Sequence, residues 1–307
     1  MIRCMPYIPL TATPLRKKNE YREMLPEDLA LHPYIRCFWG SEKPYWKNEN
    51  AVSDLVIPDT CVDIIYYIDH TDHTLTSVFC GINDRGFRDG STVGNGHLMS
   101  VFAIRFYAWG AYAFSEDSLE GTCNGFYEVP SRFRWLDERL RRPLLEHRLL
   151  TERTQLAERL LIRKMSDIRQ NTVLNSAVQQ ILYQKGTTNA AQLAKDCFIS
   201  SRQLERLFSR YIGITPKKLG NLVRYQFLWN EIMRNKEFST LDAVVKYGFT
   251  DQSHLLREFK RYHTMDLSSA KRYAAKDVEN IQYVSEIFCV KFMVNLDYLF
   301  RSSYMSV

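Results

Sequence analysis

Residues 241–262 read LDAVVKYGFTDQSHLLREFKRY, and this stretch decides how the C-terminal part of the chain folds. Leu255 and Phe259 recur at a spacing of four, which places them on one face of a helix. Asp251 precedes that helix as a good N-cap, and Gly248 permits the chain to reverse before it. The stretch therefore predicts a short helix, a turn and a second helix with a polar outer face. The apolar face of the short helix is expected to consist of Leu241, Val244 and Val245.

The same pattern occurs earlier, in residues 188–211, which read TNAAQLAKDCFISSRQLERLFSRY. Ser200 takes the N-cap position there, and Leu204 and Phe208 repeat the spacing of four. The two N-caps are 51 residues apart, so the motif is an internal repeat. A short helix, a turn and a helix with a polar, basic face suit the major groove of DNA, which admits one α-helix.

A third helix is predicted between the repeats, over residues 216–235. Pro216 suits a first helical position, and Leu222, Tyr225 and Trp229 form an apolar stripe. About 18 helical residues span roughly 27 Å, close to the roughly 34 Å of one DNA turn. Such a rod would hold two recognition helices on one side of a duplex.

The distribution of charge supports a nucleic-acid partner for this region. Residues 181–276 hold 17 Lys and Arg against 8 Asp and Glu, whereas the rest of the chain holds 24 against 27. One basic segment on a slightly acidic body is typical of a nucleic-acid-binding part joined to a part with another task.

These two motifs, LAKDCFISSRQLERLFSRYIGITPKKL and VVKYGFTDQSHLLREFKRY, resemble the DNA-binding domain of AraC/XylS-type transcription regulators over about 90 residues. The resemblance implies that the outward side chains of the second helix in each motif face DNA bases: Ser201, Arg202, Glu205, Arg206, Gln252, Ser253, His254 and Arg257. Nearby cations are then expected on phosphates: Lys217, Lys218, Lys260, Arg261 and Lys271.

The chain departs from the family pattern after the second motif. Residues 263–273 read HTMDLSSAKRY and lack the glycine and proline that Gly213 and Pro216 supply after the first motif. The end of the second unit is therefore expected to pack differently. Residues 277–307 are longer and more apolar than the family leads us to expect, which favours a helix that packs on the joining helix or on a second subunit.

The N-terminal half has the pattern of β structure. Short runs rich in β-branched and aromatic residues occur at 55–58, 61–68, 76–80 and 100–107, and residues 69–73 suit a hairpin turn. The stretches YIRCFW, VIPDTCVDIIYY and SVFAIRFYAWGAYAF resemble the cupin-like sensor half of some of these regulators, more loosely than the DNA-binding motifs match. That resemblance implies a small barrel that senses a small molecule.

The predicted fold class is therefore α+β: a cupin-like β-barrel at 1–130, a helical connector for dimerisation at 131–185, an all-α double helix-turn-helix domain at 186–276 and a C-terminal helical extension at 277–307. Pro143 separates two connector helices or kinks one. Five barrel residues are candidates for lining an effector pocket, although each is also explained as part of an aromatic core: Trp39, Tyr66, Phe102, Arg105 and Trp109.

Enzyme readings are weaker alternatives. A metal-dependent cupin needs a histidine cluster, but the one close pair, His70 and His73 beside Asp69 and Asp72, is explained more simply by a solvated hairpin tip. A DNA-repair methyltransferase with an AraC-like reader needs clustered zinc ligands, whereas the seven cysteines are scattered without a C-x-x-C pair. We therefore expect a regulator with no catalytic residue, cofactor or metal.

The sequence also suggests a compartment and partners. The first ten residues do not form a signal peptide, and no stretch of about 18 uncharged apolar residues occurs, so a cytoplasmic protein is expected. Expected partners are promoter DNA, a small-molecule effector, a second copy of the chain and, for an activator, RNA polymerase.

Overall fold

The computed structural model describes residues 7–12, 21–47, 55–88, 96–235 and 237–275, so the predicted extension at 277–307 lies outside the described residues. As predicted, the N-terminal half is rich in β structure and the rest is helical. The strands are β1 Tyr21–Met24, β2 Ile35–Ser41, β3 Tyr45–Trp46, β4 Leu55–Val56, β5 Cys61–Asp69, β6 Thr74–Cys80, β7 Phe87–Arg88, β8 Leu98–Tyr107 and β9 Phe126–Glu128.

Seven of these strands form one antiparallel sheet in the order β1-β2-β8-β5-β6-β9, with β3 also paired to β8. The two longest strands run side by side, with Ile64 of β5 opposite Ile104 of β8. The hairpin predicted at residues 69–73 is confirmed, because β5 and β6 pair from Asp69 opposite Thr74 onward. Strands β4 and β7 form a separate two-stranded ribbon.

The predicted closed barrel is wrong, because the sheet is open in the described part of the chain, with β1 and β9 as its edges. Helices cover one face of the sheet, where a barrel would have further strands. Tyr66, Phe79 and Phe102 are fully buried on that face, and the ring of Phe133 in the first connector helix lies 5.2 Å from the ring of Phe79. A face covered by helices does not need barrel closure to exclude water.

Ten α-helices complete the described fold: α1 Ala108–Phe114, α2 Pro130–Glu146, α3 Leu150–Lys164, α4 Thr172–Tyr183, α5 Ala190–Asp196, α6 Ser201–Ile212, α7 Pro216–Arg234, α8 Thr240–Lys246, α9 Gln252–His263 and α10 Leu267–Ala274. Short 3-10 turns lie at Leu29–Leu31 and Met165–Asp167. Pro143 lies within the last turn of α2, whose one non-helical residue is Phe133, so the proline does not divide two helices.

The joining helix α7 is buried by its neighbours on several sides. Trp229 is fully buried, with ring contacts to Phe259 and His263 of the second motif. On another side the main chain of residues 8–11 binds the helix: Gln226 pairs with the amide and carbonyl of Leu10, and the Trp229 indole N–H donates to the carbonyl of Thr11 at 3.0 Å. We call residues 8–11 the N-terminal strap.

The end of the second motif was expected to pack differently, but its layout repeats that of the first. Thr264 ends α9 in the left-handed conformation (φ 65°), as Gly213 ends α6 (φ 87°). Asp266 then caps α10 through its side chain, as Thr215 caps α7. Thr264 thus takes the place of Gly213 at the cost of local strain, and Leu267 takes the place of Pro216 as the first residue of the next helix.

His263 gives a test of how α9 is held against α7. The imidazole is fully buried, its Nδ1 is 2.8 Å from the Tyr225 hydroxyl, and burial lowers its pKa to about 4. An unfolded histidine has a pKa near 6.5, so between about pH 6.5 and pH 4 the unfolded chain binds a proton that the folded chain does not. This residue therefore destabilises the fold as the pH falls through that window.

We expect His263 to lower the free energy of unfolding by about 2 kcal/mol between pH 7 and pH 5. Urea denaturation at both pH values measures the fall, and the His263→Phe variant is the reference because it cannot titrate. Equal falls in the two proteins would contradict a buried neutral imidazole.

Candidate nucleic-acid interface

The first helix-turn-helix unit is α5 and α6. Ser200 caps α6 through its hydroxyl, which accepts from the amide of Gln203 at 3.2 Å. The Ser200 amide in turn donates to the side-chain oxygen of Gln203 at 2.9 Å, which completes a capping box. Leu204 and Phe208 are buried, as their spacing predicted. The cap and the buried pair fix which face of α6 points outward.

The residues expected to face DNA on α6 share that outward face. Ser201, Arg202, Glu205 and Arg206 are all exposed, as are the neighbouring Lys217 and Lys218 in the first turn of α7. The side chain of Lys218 is paired, because its Nζ lies 2.7 Å from Asp84 in the loop after β6. Sequence reasoning missed Asp84, since nothing in a loop rich in Asn and Asp shows which helix it meets.

The second unit, α8 and α9, presents most of its expected residues in the same way. Asp251 caps α9 by accepting from the amide of His254 at 2.7 Å. Its outward residues are exposed: Gln252, Ser253, Arg257, Lys260 and Arg261. His254 is half-buried instead, with its ring edge-on to Phe249 and its Nδ1 3.3 Å from the Thr250 hydroxyl. Of the named base-facing residues on α9, it is the one that also packs against the turn.

The apolar face of α8 differs from the sequence interpretation. Leu241 and Val245 were expected in the core, but they are 62% and 82% exposed. Ala243 and the following Tyr247 are buried in their place, and Tyr247 donates to Glu231 of α7. Since α8 is only seven residues long, the sequence allowed either face to point inward.

The two turns differ at one matched position. Gly248 lies two residues after α8 and Phe198 two residues after α5, and both take a left-handed backbone conformation (φ 64° and 56°). The side chain of Phe198 is 95% exposed. Because a Cβ crowds the backbone in this region, phenylalanine is strained where glycine is not.

Comparisons with known proteins agree with this geometry. A model described as "Helix-turn-helix domain" matches residues 193–272, which contain both units and α7. The chain carries an AraC-type helix-turn-helix domain and is a DNA-binding transcription regulator. A second model, "Domain of unknown function (DUF6597)", matches residues 22–122 of the regulator, which include the open sheet. A search of curated proteins gave no match.

Solved structures with some likeness to the regulator include an AraC-type transcriptional regulator from Chromobacterium violaceum, at 21% identity over 34% of this chain and 94% of that one (TM-score 0.32). ToxT from Vibrio cholerae O395 matches at 10% identity over 85% and 100% of the two chains (TM-score 0.36). ToxT from strain SCE256, with an unsaturated fatty acid bound, matches at 11% identity over 84% and 98% (TM-score 0.34). Nothing further about this chain follows from TM-scores this low.

The structure divides the five candidate effector residues of the N-terminal half among three places. Trp39 and Arg105 lie together, because both donate to Asp63 Oδ1, at 2.8 and 2.9 Å. Tyr66 and Phe102 stack within the face covered by helices. Trp109, at the start of α1, stacks on Tyr107 at 4.9 Å. These residues do not form a single pocket.

Asp59 joins the Trp39 and Arg105 group, at 3.1 Å from the Arg105 guanidinium. Burial raises the pKa of Asp59, although Arg105 opposes the shift. Burial also works against the charge of Arg105, but Asp63 and Asp59 raise its pKa well above the usual value. Asp63 and Arg105 each lie within an apolar run of the sequence, and this ion network explains why both charges are tolerated there.

One group of possible metal ligands lies in the described part of the chain, formed by Asp69, Asp72 and His97. His97 is far from Asp69 in sequence, but the pairing of β5 with β8 brings its Nδ1 to 2.6 Å from that carboxylate. The predicted pair is divided, because His70 is buried against Ser100 while His73 is exposed. A carboxylate already satisfies the His97 ring, so this cluster is explained without a metal.

Two further observations bear on other functions. Burial raises the pKa of the Cys37 and Cys61 thiols, which opposes thiolate formation at both.

Among the described helices, none is both long and apolar enough to cross a bilayer.

Phe198 gives a test of the strained turn. The Phe198→Gly variant should raise the free energy of unfolding by up to about 1 kcal/mol, because relief of the left-handed strain outweighs the added freedom of the unfolded chain. Phe249→Ala, which removes a buried ring from the other turn, should lower it by about 3 kcal/mol. Urea denaturation measures both, and a destabilised Phe198→Gly protein would show that the exposed ring has a stabilising contact.

Proposed function

We propose that this regulator binds DNA sequence-specifically, each monomer reading two adjacent major-groove segments. The observation that carries the proposal is the pair of capped recognition helices, α6 and α9, with exposed polar faces on either side of one rigid helix. Helix α7 has 19 residues, a length of about 28 Å, which suits two readers about one DNA turn apart.

Individual roles follow from side-chain chemistry. Arg206 and Arg257 suit guanine, whose O6 and N7 accept a bidentate guanidinium, and Gln252 suits adenine. Glu205 either accepts from cytosine or pairs with a neighbouring arginine. Lys217, Lys260 and Arg261 would hold phosphates and set the register without reading sequence. Ser201, Arg202, Ser253 and His254 complete the proposed interface.

The N-terminal domain is proposed to act as a cupin-like sensor. Its effector would contact some of the candidate residues, of which Trp39 and Arg105 already lie together. An effector shifts the balance between arrangements of the DNA readers only by as much as its affinity differs between them. Dimerisation through the sheet domain or residues 131–185, contact with RNA polymerase if the protein activates, and a cytoplasmic location belong to the same proposal.

We propose no catalytic activity, cofactor or metal. The repair-enzyme alternative needs a thiolate in an electropositive setting, and the burial of Cys37 and Cys61 opposes one. The metal-cupin alternative would have to use Asp69, Asp72 and His97. Measuring the zinc, iron and manganese content of the purified protein tests both alternatives, since stoichiometric metal would favour an enzyme.

Selection of bound duplexes from a random DNA library tests the proposed function. At near-physiological salt, two short enriched motifs about one helical turn apart are expected. A single enriched motif would overturn the double reader. No enrichment by the folded protein, with affinity independent of salt, would overturn DNA binding.

Two substitutions separate base contacts from phosphate contacts. Arg257→Ala should weaken binding to the selected duplex by about 1–3 kcal/mol and relax specificity at one base pair. Lys260→Ala should weaken all duplexes alike and lower the slope of log K against log salt by about 1. Lys195→Ala is the control, because it removes one positive charge from α5, outside the proposed recognition helices. Fluorescence anisotropy titrations measure the DNA affinity of all three variants. If neither Arg257→Ala nor Lys260→Ala changed that affinity, the proposed position of the second recognition helix on DNA would be wrong.

A further inference from the structure

Two loops of the sensor domain lie on the DNA-binding domain, residues 82–86 and 115–122, and we call them the acidic loops after the carboxylates that they present there, Asp84 and Glu120. Arg85 also lies in the first loop. In the first, Asp84 binds Lys218 at 2.7 Å in the opening turn of α7. Burial works against its charge, but hydrogen bonds from Lys218 and Asn124 hold the pKa of Asp84 below its usual value, and Arg261 adds to the effect. This carboxylate thus pairs with one cation that was expected on a DNA phosphate and lies within electrostatic reach of a second, whose own ion pair is with Glu258.

The second acidic loop lies along the first recognition helix. The amide of Leu119 donates to the carbonyl of Arg210 at 2.9 Å, and the Ser118 hydroxyl donates to the same carbonyl at 3.1 Å. Glu120 accepts a hydrogen bond from the hydroxyl of Ser209 at 3.0 Å. Ser209 is on the outward face of α6, so Glu120 stands beside the surface that would enter the groove.

A cavity of about 630 Å³ separates this loop from the base-facing residues. Glu205, Arg206 and Ser209 line it from α6, and Ser118 and Glu120 line it from the acidic loop. Any duplex that placed a base edge or phosphate on Arg206 would meet the carboxylate of Glu120 across this space. The negative charge of Glu120 would repel the negative charge of a DNA phosphate brought close to it.

The first acidic loop also fits tightly against the second unit. A Cβ added to Gly86 would stand 2.7 Å from Thr264 Cγ2 and 2.9 Å from the carbonyl of Tyr262, at the end of α9. Nearby, the amide of Leu55 donates to the hydroxyl of Tyr273 in α10. Both helix-turn-helix units therefore contact the sensor domain.

We propose that the acidic loops occupy the place of the DNA backbone, so that the arrangement seen here is a closed form that must undock before DNA binds. This inference rests on the proposed DNA-binding function. Asp84 stands where a phosphate would, at the N-terminus of a 19-residue helix with two lysines in its first turn. Docking and DNA then compete for Lys218 and the outward face of α6, and undocking subtracts from the affinity for DNA.

The double variant Asp84→Asn/Glu120→Gln tests the competition by removing two negative charges from the loops. Its affinity for the selected duplex should rise by about three- to tenfold, because two interdomain contacts are weakened while the DNA-facing residues are intact. Asp167→Asn/Glu146→Gln removes two charges that pair with Lys164 and Arg142 instead, and it controls for net charge. Equal gains in the two double variants would overturn the proposal.

Gly86→Ala makes the same test without any change of charge. The added methyl group would clash with the end of α9 only while the loop is docked, so DNA affinity should rise. A folded Gly86→Ala protein that bound DNA no better than the wild type would contradict docking at this site.

Hydrogen exchange of the wild-type protein tests undocking directly. The Leu119 amide, which bonds across the domains, should exchange faster after the selected duplex is added, while the Val101 amide, bonded to Ser41 within the sheet, should not change. Tight DNA binding with Leu119 still protected would overturn the inference and leave the proposed function standing. Failure of every variant to bind DNA, even at low salt, would overturn both.

Discussion

The burial of α7 is the constraint on which the other parts depend. Its side chains contact both helix-turn-helix units, and Gln226 and Trp229 also bind the main chain of the N-terminal strap. Gln226 adds a bond of 2.6 Å to the carbonyl of Pro58, so the sheet domain is anchored to the same helix. The two helix-turn-helix units and the sheet domain are thus positioned relative to one helix, and a shift of the sheet domain against α7 would also move it relative to both units.

Local sequence patterns were enough to predict the two recognition helices, α6 and α9. Ser200 and Asp251 cap helices because a side-chain oxygen bonds to an amide three residues on, a contact decided within one turn of chain. The open sheet could not be predicted, because closure depends on pairing between distant strands. The meeting of His97 with Asp69 and of Lys218 with Asp84 likewise depends on how separate elements dock. Leu241 and Val245 show that even a repeat can turn a different face inward when its helix is short.

The two units distribute their backbone strain differently. Each has a left-handed residue in its turn and another after its recognition helix. The first unit places Phe198 in the turn and Gly213 after the helix, whereas the second places Gly248 and Thr264. Each unit therefore has glycine at one of the two positions and a strained side chain at the other. The strained residues also differ in surroundings: Phe198 points into solvent, and Thr264 lies against the loop at Gly86.

The N-terminal strap has a consequence for the order of assembly. Its bonds to α7 join residues 216 to 222 positions apart, among the longest separations in the described fold. During synthesis the strap leaves the ribosome before α7, and its binding site is complete only after more than two hundred further residues have followed. Contacts of such sequence separation form late because a long loop must be closed first. The strap can therefore bind only after α7 has been synthesised, so the packing of the N-terminal half is completed only once part of the helical half is present.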